Sequence, residues 1–144
     1  MKSLAVTITI SLFVIYSIII EKTLDPILKT EMIFRAIEKS DHTEVRNAYY
    51  GLSPVPENLD MITANNKLIR DKFLIYGFPK KTQITVREEK VPRNRIYKHH
   101  VVGKTIKKIF ITTTKIGKYN ECIIETTLFK NGKDLEVFGI DIIR

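Results

Sequence analysis

Two carboxylates could carry acid–base chemistry in this chain: Asp141, within the apolar run 138–143, and Glu125, within 123–129. A carboxyl group works as a base near neutral pH only where apolar surroundings or a neighbouring charge shift its pKa. Alternation along the last strand places Asp141 with Leu135, Val137 and Ile143, opposite Phe138, Ile140 and Ile142. Which set faces inward therefore decides its role, and the same holds for Glu125. On a sheet covered on one side, both are expected to point outward.

The other reactive side chains are sparse. His99 and His100 are adjacent on an expected strand, so they point to opposite faces and cannot share a metal without a bulge. His42 follows Asp41 at a helix start. Cys122 is the single cysteine, which excludes an intramolecular disulfide, and its place in Cys122-Ile123-Ile124 reads as a small buried hydrophobe. No His-x-x-x-His, cysteine pair or Gly-rich phosphate loop occurs. Neither a metal nor a cofactor is expected, and binding is favoured over catalysis.

The formal net charge of +8 is concentrated. Residues 80–118 hold 12 Lys or Arg against Glu88 and Glu89, a local balance of +10, so the rest of the chain sums to −2. Arg93, Arg95, Lys104, Lys107 and Lys108 form the expected basic patch. Such a surface suits anionic lipid or an anionic envelope polymer as one alternative. Nucleic acid is disfavoured, because a single-strand platform needs exposed aromatics between its cations and only Tyr97 and Tyr119 could serve.

Residues 4–20 (LAVTITISLFVIYSIII) run without a charge between Lys2 and the Glu21-Lys22 pair. Seventeen helical residues span roughly 26 Å, close to the ~30 Å hydrocarbon core. No small-x-small cleavage pattern follows, so an uncleaved single-pass anchor is expected over 1–24, with a removed signal segment as the alternative. Lys2 places the amino terminus in the cytoplasm and exports residues 25–144, as one domain, to the periplasmic or extracellular side of the cell membrane.

The elements that must position these groups change character at Pro79. Before it, apolar residues recur every three or four positions. Asp25-Pro26 opens a helix to about Lys39, with Ile27, Leu28, Met32, Ile33, Ala36 and Ile37 as its stripe. Asp41 with Glu44 starts a second helix ending at Gly51, and a third runs from Leu59 or Asp60 to Tyr76. After Pro79 the period falls to two, predicting strands over 82–90, 96–102, 105–116, 121–130 and 134–144. Asn131-Gly132 is the strongest hairpin signal. The fold class is α+β: two to three helices on a curved antiparallel sheet of four to five strands.

Two stretches resemble the nuclear-transport-factor-two-like, or cystatin-like, cone domains. One is Ala36-Ile37-Glu38-Lys39-Ser40-Asp41 leading to Tyr49-Tyr50-Gly51-Leu52-Ser53-Pro54; the other is the closing hairpin from Leu128 through Asn131-Gly132 to Phe138-Gly139-Ile140-Asp141-Ile142. A Trp is common in that superfamily where Leu135 stands. The resemblance implies a cone with an interior pocket, in which enzymes of the superfamily use an Asp base with a Tyr or His. The expected function is a non-catalytic, membrane-anchored envelope domain that binds a protein partner or assembles with itself. The alternative is a small-ligand-binding or isomerase/hydrolase-like cone using Asp141 or Glu125 with a Tyr.

Overall fold

Helix α1 (Pro26–Glu38) begins where the Asp25 carboxylate accepts hydrogen bonds from the backbone N–H of Ile27 (2.8 Å) and Leu28 (3.2 Å), with Pro26 at the first helical position. Both features satisfy or avoid the free amides of a first turn. Its end is closed by Ser40 N–H donating to the Ile37 carbonyl (3.0 Å) and Asp41 N–H to that of Ala36 (2.8 Å), with Ser40 at φ 59°. Glycine most often fills that left-handed seat; here it is a serine. Asp41 then caps α2 (His42–Ala48) by accepting from Glu44 N–H at 2.9 Å.

The computed structural model describes residues 25–49, 56–90, 108–132 and 134–144. The expected membrane segment, the strand expected over 96–102, Gly51, His99, His100, Arg93, Arg95, Lys104 and Lys107 lie outside them. No described helix is long and apolar enough to cross a membrane.

The buried face of α1 is Thr30, Ile33, Phe34, Ala36 and Ile37, whereas Met32, expected in the stripe, is 51 % exposed. The face is set by Phe34, whose ring lies 5.4 Å from that of Phe73 on α3 (Pro56–Tyr76). That contact rotates Met32 outward, a choice the spacing alone left open. α3 starts before the expected Leu59 or Asp60, with Pro56 in its first turn. It buries Ile62, Asn66, Ile69 and Phe73.

A short 3₁₀ turn (Lys81–Gln83) leads into β1 (Ile84–Lys90), followed by β2 (Lys108–Ile116), β3 (Cys122–Asn131) and β4 (Asp134–Ile142). The strands pair antiparallel in chain order as a four-stranded sheet. The protein is thus α+β, with three described helices ahead of a four-stranded antiparallel sheet. The last hairpin closes at Asn131↔Asp134, so Asn131 is paired within β3 and not in the turn, where the Asn131-Gly132 signal suggests it. Gly132 takes φ 63°, as a tight hairpin turn requires.

The register of β4 breaks once. Thr127 pairs with Gly139 but Leu128 pairs with Val137, leaving Phe138 as the extra residue of a β-bulge. Strict alternation therefore fails at this point. Leu135, Val137, Ile140 and Ile142 all turn to the helix side with Ile124 and Leu128, and Asp141 parts from Leu135 and Val137. The core formed there also takes in Ile33, Phe34, Ile37, Val45, Ile69, Phe73, Ile116 and Cys122. Cys122 is fully buried, and burial pushes its thiol pKa up.

The opposite face is apolar as well. Ile109, Ile111 and Phe129 are buried together there with Phe138 against them, so the sheet is not the one-sided surface that the carboxylate assignment assumed.

Candidate functional site

Glu125 and Asp141 occupy partner positions across the β3–β4 ladder, which the separate strand readings did not bring together. Partner residues in an antiparallel pair place their Cβ atoms about 4.5–5.5 Å apart on one face. That face is the one turned away from the helices, since Ile124, Thr126, Ile140 and Ile142 alternate with them on the helix side. Glu125 is half-buried and Asp141 is exposed on the edge strand.

The free edge of β4 receives the end of α2. At Tyr49 the chain leaves the helix for extended backbone (φ −79°, ψ 138°) and forms a parallel bridge to Val137. This capture ends α2 at Ala48, three residues before the expected Gly51. From α3, Asn65 Nδ2 donates to the Ile140 carbonyl at 3.0 Å, satisfying an acceptor of the same edge. Tyr49, Asn65 and Asp141 therefore converge at one edge. The Tyr49 phenol is pushed up to about 12, first by burial and then by the negative charge of Asp141, while a hydrogen bond with Asn65 pulls it partly back. The sequence reading named a tyrosine partner for Asp141 without identifying it, and Asn65 was missed. An Asn in a helix with polar neighbours carries no local signal of a strand-edge bond.

This arrangement holds a neutral phenol beside a solvated carboxylate. Among the described residues it leaves Asp141 exposed and not in an apolar pocket, the arrangement that makes a general base. Among the described residues no three His, Cys, Asp or Glu side chains gather as a metal site.

Of the expected basic patch, Lys108 is described. It forms an ion pair with Glu88 on β1, and both side chains are about half exposed. Arg87 pairs likewise with Glu89 at 2.6 Å. The two acidic residues of the basic segment are thus spent on neighbouring cations of the same sheet edge. Exposed pairs of this kind contribute about 0–1 kcal/mol each.

A different surface is more unusual. On α3, Met61, Leu68 and Ile75 are 63 %, 57 % and 68 % exposed. Residues seven apart drift by only ~20° around a helix, so the three form one stripe roughly 21 Å long. It runs beside, not within, the buried face of Ile62, Ile69 and Phe73. Ile62, Ile69, Phe73 and Tyr76 predict a single apolar side for α3, and the structure adds this second one. The seven-residue spacing was the signal that could have found it. No protein-family model matches the chain, and neither does any curated protein or solved structure.

Proposed function

We propose that the protein is a membrane-anchored envelope domain that binds a protein partner along the outer face of α3 and does not catalyse a reaction. The observation that carries this reading is the Met61–Leu68–Ile75 stripe, three large apolar side chains left open in line along the outer face of α3. Single exposed apolar residues are ordinary, whereas an aligned row of them marks a contact surface. Its spacing suits a partner helix packed alongside in coiled-coil fashion, supplied by another protein or a second copy.

The anchor is supported by the uncharged run of residues 4–20, which would hold the domain against the exported face of the membrane. The cone-like, nuclear-transport-factor-two-like reading of the domain is supported by the order of three helices followed by an antiparallel sheet, and by the bulge at Phe138 that bends β4. Binding is preferred to catalysis because Asp141 is exposed and Glu125 lies with it on the sheet face away from the helices.

A photo-reactive amino acid placed at position 68 of the full-length chain, in membranes of a native-like host, tests the proposal. Crosslinking to one protein or to a second copy is expected at 68, and none at the exposed Lys115 on β2. The Met61→Lys/Ile75→Lys double variant should abolish it without lowering the melting temperature, since exposed substitutions usually change stability by less than about 0.5 kcal/mol each. Absence of a crosslink at 68, or its persistence in the double variant, would overturn the interaction. The intact mass of the membrane-bound product tests the anchor separately: a shortened, soluble product would remove it.

A further inference from the structure

On the flank of α3 away from the Met61 stripe, a cleft of about 310 Å³ opens between the end of α1, the start of α2 and α3 itself. Its lining includes Ile37, Ser40, His42, Asn66, Arg70 and Leu74. Asn66 is 1 % exposed, at a helix position whose buried neighbours Ile62, Ile69 and Phe73 are all apolar. Its Nδ2 lies 3.4 Å from His42 Nδ1, while its carbonyl Oδ1 has no hydrogen-bond partner among the described residues. Buried polar atoms are nearly always paired, so an unmet acceptor lining a cleft calls for a donor from outside the protein.

The rest of the lining says what that donor would be attached to. Arg70 Nη1 donates to Ser40 Oγ at 2.7 Å, which braces the guanidinium across the cleft and leaves further N–H groups unused by that bond. Lys67 adds a second cation, and Asp71 one anion, leaving the lining net positive. A braced guanidinium matches the geometry of a carboxylate. Ile37 and Leu74 supply apolar surface. A multiply charged phosphate fits less well, because both the Asn66 carbonyl and Asp71 would face its oxygens. The volume sits at the small end of the roughly 300–1,000 Å³ range of ligand sites.

We propose that this cleft binds a small carboxylate bearing a hydroxyl or amino donor and a short hydrocarbon body. The carboxylate lies on Arg70 and Lys67, the donor on Asn66 Oδ1, and the hydrocarbon against Ile37 and Leu74. This site is independent of the α3 stripe and of any partner bound there.

Isotope-labelled full-length protein titrated with leucine, with 2-hydroxy-4-methylpentanoate and with 4-methylpentanoate tests it, read by NMR at the Asn66 side-chain amide and the His42 ring. Saturable shifts at both residues are expected with at least one of the first two ligands. The third, which lacks the donor, should bind about tenfold more weakly or worse. Arg70→Gln should weaken binding by a similar factor, and Asn66→Leu should erase the preference for the donor-bearing acids. If Asn66→Leu fails to fold, the comparison of ligands and the Arg70→Gln variant still decide. No saturable shift up to about 10 mM, equal binding of all three acids, or unchanged binding in Arg70→Gln would each overturn the proposal. The Asn66 carbonyl would then be a site for a buried water.

Discussion

Glu125 and Asp141 stand directly opposite each other on neighbouring antiparallel strands, two carboxylates on one face of the sheet at its free edge. Like charges in partner positions repel, with cross-strand effects of about 0.2–1 kcal/mol. Asp141→Asn should therefore raise the unfolding free energy at pH 7 by an amount in that range. Urea unfolding of both proteins at neutral pH checks this. A loss of stability at pH 7 would mean that Asp141 is held by attractive contacts that outweigh the pair repulsion.

Tyr49 gives the fold an alkaline weakness. Its phenol is raised from 10.0 to about 12 in the folded protein, mainly by burial and next by Asp141. Below pH 10 the phenol is neutral in both folded and unfolded chains, so its contribution is fully present. Between about 10 and 12 the unfolded chain releases the proton while the folded one retains it, and stability declines. A shift of this size corresponds to a loss on the order of 2 kcal/mol across that window. Comparing Tyr49→Phe with the parent isolates it from the other tyrosines and lysines: the variant should lose less stability between pH 9 and about 11.5. Parallel curves would sink the assignment.

The helix–sheet interface contains hydroxyls that are bonded and hydroxyls that are not. Thr112 Oγ1 sits 2.9 Å from Thr30 Oγ1 and 3.3 Å from the Thr126 carbonyl, and Thr30 Oγ1 also donates to the Pro26 carbonyl at 2.8 Å. This chain links the first turn of α1 to the middle of the sheet. The hydroxyls of Thr114 and Thr126, equally buried, have no hydrogen-bond partner among the described residues. Replacing Thr by Val keeps the shape and removes the hydroxyl. Thr126→Val should be neutral or stabilising, whereas Thr112→Val should cost about 1–2 kcal/mol, because it breaks a bonded chain and leaves Thr30 short of a contact. Chemical denaturation of the two variants side by side gives the comparison, and equal effects would refute it.

Much of the secondary structure was legible because its signals act within a few residues. Asp25 and Asp41 cap the helices they were expected to cap, since a carboxylate reaches only the amides two or three positions on. The change of period at Pro79 separates helices from strands, and Gly117 to Asn120 joins β2 to β3, with both residues at positive φ. These features need no knowledge of the rest of the chain. The charge excess and the uncharged run of residues 4–20 are likewise properties of the sequence alone.

Elsewhere a distant partner made the decision. Alternation could not foresee that β4 inserts Phe138 as a bulge, because the bulge exists only relative to the register of β3. That one residue puts Leu135 and Ile140 on the same side of the sheet and separates Asp141 from Val137. Spacing likewise allowed Met32 or Phe34 to face the core, and the ring contact with Phe73, thirty-nine positions away, chose Phe34. Caps, turns and periods follow from sterics and hydrogen bonds among near neighbours, and the charge from composition alone. Strand register and packing set which faces are buried, bring Glu125 opposite Asp141, and close the edge beside them with Tyr49 and Asn65. Side-chain partners across a sheet are set by strand register, which local sequence constrains only weakly.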